Sequence, residues 1–143
     1  MQDFPASAQR HHSDGASLLA GGRHETADHL FGFSAECSLK AILTGLGGVP
    51  TPVSGPPTQG ATRFGHLPHL WDTSALYLQG RALQASPTQM TSLMSGANPF
   101  ARWNVNQRYE SGTVSSQQAA THEGASKALL NWTQASLLAG VLL

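Results

Sequence analysis

The stretch Gly22-Arg23-His24-Glu25-Thr26-Ala27-Asp28-His29-Leu30-Phe31-Gly32-Phe33-Ser34-Ala35-Glu36-Cys37-Ser38-Leu39-Lys40-Ala41-Ile42-Leu43-Thr44-Gly45-Leu46 decides the fold. Ala27, Leu30, Phe31, Ser34, Cys37, Ser38, Ala41, Ile42 and Gly45 fall on one broad face at 3.6 residues per turn, so Arg23 to Leu46 reads as the longest helix. Ser34, Ser38, Ala41 and Gly45 are small enough to admit a neighbouring helix closely. The opposite side is not cleanly polar: His29, Phe33, Glu36 and Lys40 form a stripe with Leu39 and Leu43 beside it. A helix apolar on most sides is expected at the centre of a bundle, touching several others.

Outward from this helix, Pro5 suits the first turn of a preceding one. Ala8, His12, Gly15, Ala16 and Leu19 then recur at steps of three and four until Gly21-Gly22 stops it. Gly47 to Gly65 holds four prolines and five glycines and reads as an exposed, mobile loop. Pro68 opens a third helix running to about Gly80, and Pro87 a short fourth to about Ser95, broken by Gly96-Ala97-Asn98-Pro99. Phe100 to Tyr109 is irregular or briefly helical, and a last helix spans about Ser116 to Leu142, with Ala125, Leu129, Trp132 and Leu137 on its buried face. No segment alternates apolar and polar residues as a half-buried strand does. The expected class is all-α, a four- to five-helix up-and-down bundle formed by residues 1–143 as one domain, with 47–65 as its loop.

Composition narrows the function. Charged residues are only 11% of the chain against 40% apolar, and eight Lys+Arg balance eight Asp+Glu. A zero net charge argues against gripping duplex phosphates by a broad basic face, and an acidic disordered tail is excluded. It also leaves little repulsion to oppose self-association. The lone Cys37 excludes an internal disulfide framework and a cysteine-based zinc finger. Met1-Gln2-Asp3-Phe4-Pro5 lacks the basic and apolar regions of a secretory signal, and Ala128–Leu143 is too short and polar to span a bilayer. The expectation is a cytoplasmic protein without a membrane segment.

Within the long helix, the run Gly22-Arg23, Ala27, Leu30, Gly32, then Glu36-Cys37-Ser38-Leu39-Lys40-Ala41 resembles the HEPN family of small bacterial helical-bundle proteins. Leu18-Leu19-Ala20-Gly21-Gly22-Arg23 before it, Gly65-His66-Leu67 after it, and Arg108-Tyr109 following Trp103 agree in order. The resemblance is specific in the long helix, weaker elsewhere, and omits the loop and the Pro87–Ser95 piece. It implies a HEPN-like homodimer that is either a non-catalytic module binding a nucleotide, RNA or a protein partner, or a metal-independent ribonuclease with a degenerate or relocated site. Such ribonucleases are often toxins paired with a nucleotidyltransferase-type antitoxin. That activity goes with an Arg-x(4–6)-His motif in a late helix, which this chain lacks. Residues 113 to 115 after Arg108 are Thr, Val and Ser, and residues 107 to 109 after Arg102 are Gln, Arg and Tyr. Arg23 and His29 match the bare spacing, but on the wrong helix.

The stripe of His29, Glu36 and Lys40 is the most informative polar feature. Partly buried charges need partners, and the late cations Arg108 and Arg102 are the expected partners of Glu36. One reading is a structural ion pair locking the long helix to the 100–110 segment, in a dimer that serves as a scaffold. Another is a polar groove in which His29, Lys40, Arg102, Arg108 and Tyr109 surround a phosphate or nucleotide, with Glu36 orienting an arginine. Catalysis would use His29 as base and Arg108 or Lys40 as the cation. Trp103, between Arg102 and Asn104, is the expected exposed ring for base stacking, whereas Trp71 and Trp132 read as core. Cys37 reads as a buried, inert thiol. His66-x2-His69 shares one turn, but no carboxylate spacing completes a metal site, so the two read as helix-start residues. No cofactor is expected.

Overall fold

The computed structural model describes residues 2–79 and 93–138. They form an all-α bundle with four α-helices, one 3-10 helix and a two-residue hairpin. The expected short helix at Pro87–Ser95 falls largely outside the described residues, as do the end of the last helix and the Leu137 side chain.

Helix α1 (Phe4–Ala20) starts where Asp3 Oδ1 accepts the Ala6 amide at 3.0 Å, with Pro5 in the first turn. Its end is a left-handed Gly22, φ 79°, from which Arg23 N returns to Leu18 O at 2.9 Å. The chain thus reverses into α2 (His24–Gly45), with Glu25 near the positive end of the helix dipole. Helix α2 buries residues on nearly every side, from Ala27 and Asp28 to Ile42 and Leu43. It packs against α1 most extensively, and also against the last helix, the third helix and the 3-10 segment. The small residues do close-approach work. A Cβ on Gly15 of α1 would stand 2.7 Å from Phe31 Cε1, and Ser34 Oγ donates to Ala8 O at 2.8 Å.

The Gly/Pro-rich segment is less loose than its composition suggests. Val49 and Phe64 are fully buried in the main core, and Tyr77 Oη donates to Gly47 O at 2.8 Å. Between them β1 (Thr58–Gln59) and β2 (Thr62–Arg63) pair antiparallel about a left-handed Gly60, φ 59°. This hairpin is a small addition to the expected all-α class. It is too short and too exposed to produce a detectable alternation. Phe64 pins it by packing edge-on to Tyr77, and Phe64 N donates to Pro57 O.

Helix α3 (His69–Gln79) begins just after the Leu67–Pro68 cis peptide. Asn98 Nδ2 donates to Pro68 O at 3.0 Å, and its Oδ1 accepts the Phe100 amide at 2.8 Å. These bonds join the start of α3 to the segment leading into the 3-10 helix (Val105–Tyr109). Helix α4 (Ser116–Leu138) follows, with Ser115 Oγ accepting the Gln118 amide. Leu39, Leu43, Leu70, Trp71, Phe100, Leu129 and Trp132 meet in one hydrophobic core.

Trp103 belongs to this core and is fully buried, which corrects the expectation of an exposed stacking ring. Its indole lies over Gly32, where a Cβ would come within 1.9 Å of Cε2, and Nε1 donates to Asp28 O at 3.1 Å. His29 and Phe33 of α2 flank the same ring, and the missing side chain at Gly32 leaves the slot between them that it fills.

Candidate functional site

Glu36 projects from α2 into the turn before α3 and is 3% exposed. Its Oε1 accepts the Leu67 amide at 3.0 Å, and both carboxylate oxygens face His66 Nδ1 at 3.1 Å. Burial pushes the Glu36 carboxyl above its ordinary value, opposed by the charges of Lys40 and His66 and by the His66 and Leu67 hydrogen bonds. The expected Glu36–Arg108 pair does not form. Arg108 lies on the 3-10 segment, exposed, with its guanidinium 4.8 Å from the Tyr109 ring centroid. The Leu67 amide needs a buried acceptor and His66 lies beside it, so the carboxylate is already engaged.

His66 itself is 55% exposed at the side chain. It lines a cleft of about 410 Å³ between two walls. One wall is the hairpin exit and the start of α3, with Arg63, Gly65, Leu67, Pro68, His69, Leu70 and Thr73. The other is Asn104, Val105 and Asn106 of the 3-10 segment. That second wall is shaped by a capping box, in which Asn104 Oδ1 accepts the Asn106 amide and Gln107 Oε1 accepts the Asn104 amide. Arg63 gives the cleft its formal positive charge, His66 and His69 add imidazoles, and no acidic residue is among its described lining, the Glu36 carboxylate lying buried behind His66. In a chain of zero net charge this is a local concentration of cationic and hydrogen-bond-donating groups.

The other candidates occupy different surroundings. His29 stacks on Trp103 with centroids 5.4 Å apart and meets Phe33 edge-on at 4.6 Å. Both its ring nitrogens are buried without a hydrogen-bond partner. Desolvation lowers its pKa, the Arg108 charge lowers it further, and Asp28 opposes them. A base sealed in this way cannot reach a substrate hydroxyl, so the catalytic role considered for His29 has no geometric support. Lys40 is half-buried beside Glu36. Arg102 and Tyr109 are exposed on the 100–110 segment. The structure therefore joins Glu36 and Lys40 on α2, and His29, Trp103 and Arg108 around the 3-10 segment, but does not merge the two sets. Cys37 is half-buried and its thiol is pushed up to about 11, chiefly by burial, which leaves it unreactive.

A second buried polar centre surrounds Asp28, which is fully buried. Its Oδ1 lies against His122 Nδ1 of α4 and its Oδ2 accepts Gln107 Nε2 at 2.8 Å. The His122 ring stacks on Phe100, and its Nε2 lies 3.0 Å from Pro99 O. His122 is 2% exposed, so this centre is closed to ligands and serves to hold α2, α4 and the 3-10 segment together.

Sequence reasoning missed Arg63, Asn104 and Asn106, and did not place His66 and His69 among the groove residues. The available signal was Glu36 itself, a carboxylate flanked by Phe33, Leu39 and Leu43 and therefore in need of a buried partner. Among the described residues, no group of three or more His, Cys, Asp or Glu side chains could hold a metal ion. No described helix is long and apolar enough to cross a membrane. No family model, curated protein or solved structure matches this chain.

Proposed function

We propose that this chain is a HEPN-like, homodimeric binding module for a phosphate-bearing ligand, a nucleotide or an RNA segment, of the kind used in toxin–antitoxin or stress-response systems. The observation that carries this reading is the cleft itself. Arg63, His66 and His69 line one volume of about 410 Å³ whose described lining holds no acidic residue, and Asn104 and Asn106 stand across from them. Arginine offers a planar fork to phosphate oxygens, and imidazole and carboxamide groups add directional hydrogen bonds. The resemblance of the long helix supplies the wider setting: a dimer, RNA chemistry and a nucleotidyltransferase-type partner. The zero net charge is consistent with self-association.

The test is fluorescence polarisation with labelled RNA and with nucleoside monophosphates, on samples whose mass is read by sedimentation. Binding by a dimer that weakens at least tenfold in Arg63→Ala, with Arg102→Ala unaffected, supports the reading. Equal binding by both variants places the ligand elsewhere and removes the cleft from consideration.

A second reading is metal-independent RNA cleavage, and the observation favouring it is the Glu36–His66 pair. A carboxylate at Nδ1 leaves Nε2 as the outward nitrogen, the arrangement a general base requires. Cleavage in chelator that vanishes in folded His66→Ala, but not in His29→Ala or Arg108→Ala, would establish it.

A further inference from the structure

Anion binding in this cleft has a consequence for protons that follows from hydrogen-bond geometry. His66 Nδ1 lies 3.1 Å from both oxygens of Glu36, so a proton must sit between ring and carboxylate; two lone pairs at that distance repel. If Glu36 is ionised and His66 neutral, the single ring proton is on Nδ1. Nε2 then presents a lone pair outward, which repels an oxyanion. An outward Nε2–H exists in two arrangements only. In one the imidazole is fully protonated beside a carboxylate. In the other the proton between the groups belongs to the Glu36 carboxyl and the neutral ring carries its own on Nε2. Both hold one proton more than the ionised-acid, neutral-base state, so the count does not depend on which group is said to titrate.

We infer that the cleft is a proton-coupled oxyanion site: a phosphate- or sulfate-type group seated at His66 Nε2 binds together with one proton taken up by the Glu36–His66 pair. This rests on the cleft being the binding site proposed above and adds its regulation. Burial of Glu36 works in the same direction, since it favours the carboxyl's protonated form. Among the described residues, the charged and titratable groups around the pair are Lys40 and Cys37 from α2, Arg63 from β2 and His69 from α3. The 3-10 wall contributes only Asn104, Val105 and Asn106. His69 is the other imidazole in the described lining of the cleft, so its contribution is controlled by substitution.

Inorganic sulfate is the probe, because it remains a dianion across the range and takes up no proton itself. Calorimetric titrations at constant ionic strength between pH 5.5 and 7.5, in buffers of different ionisation heat, give both affinity and protons bound. The expected result is affinity that strengthens as pH falls, approaching tenfold per pH unit where the pair is deprotonated. The same slope is expected in His69→Gln. Glu36→Gln in that background decouples the site. Its amide oxygen still accepts from Leu67, while its NH2 donates to Nδ1 and turns Nε2–H outward without an added proton. The variant should bind sulfate with little pH dependence and no proton uptake. Affinity independent of pH in His69→Gln, or a slope that survives Glu36→Gln, overturns the inference while leaving the cleft as a binding site. No sulfate binding at any pH, or binding unaffected by Arg63→Ala, overturns both.

Discussion

Gly32 has no side chain because the Trp103 indole occupies that space. A Cβ there would stand 1.9 Å from Cε2 and 2.1 Å from Nε1, and the ring is held by the core and by its bond to Asp28 O. Gly32→Ala is therefore expected to destabilise the fold by about 1–3 kcal/mol or more, despite alanine's better helix propensity. A lower denaturant midpoint with quenched-core tryptophan exposure checks this; an unchanged or raised midpoint contradicts it. The same residue shows what one sequence conceals. Gly32 was visible as part of a resemblance, but nothing in the chain says which ring covers it. Trp103 between a charged and a polar neighbour reads as a surface residue, although the residues that bury it are seventy positions away. Glu36 was legible as a buried charge because Phe33, Leu39 and Leu43 surround it in sequence. Its partner was not, since His66 arrives through a loop whose path composition does not determine.

At the scale of elements, helix identities followed from periodicity and end signals. Asp3-Phe4-Pro5, Gly21-Gly22 and the long apolar pattern of α2 act locally, so they could be read directly. The elements that build the cleft rest on long-range bonds. The hairpin is anchored by Phe64, and the 3-10 segment by Gln107 reaching Asp28. Helix α4 is tied to α2 at the same carboxylate through His122, with both side chains at most 3% exposed. His122→Ala leaves that charge buried without its imidazole, at an expected loss of about 3–5 kcal/mol. Adding Asp28→Asn should cost less than the sum of the two single changes, because the orphaned charge is gone. Chemical denaturation of the three variants measures this, and strict additivity would rule out the coupling.

Across the whole molecule, proton linkage sets how stability responds to acid. His11, His12 and His29 all have pKa values lowered from 6.5, mainly by burial. The unfolded chain therefore binds more protons at these sites once pH falls below about 6.5, and folding weakens there. Glu36 works oppositely. Its pKa is raised from 4.5, so the folded state gains as pH falls through that raised value and loses as pH rises through it. With three imidazoles against one carboxyl, stability should fall between pH 7.5 and 5.5 in chloride buffers free of sulfate and phosphate. His29→Phe, which keeps a ring between Phe33 and Trp103 and removes two unpartnered nitrogens, should make that fall shallower. A urea midpoint that rises on acidification, or an unchanged slope in the variant, would reverse the assignment.

The 3-10 segment buries none of its five residues, yet it forms one side of the cleft. The other side is fastened to the core by Glu36, Phe64 and α3, while this side is held by its capping box, by Gln107 Nε2 donating to Asp28 Oδ2 and by Val105 packing on the edge of the core. With none of its five residues fully buried, the 3-10 jaw is the side expected to open locally first, which amide hydrogen exchange at Asn106 and Gln107 would read. An opening confined to that jaw would widen the cleft for a longer ligand while the helices of the bundle stay packed.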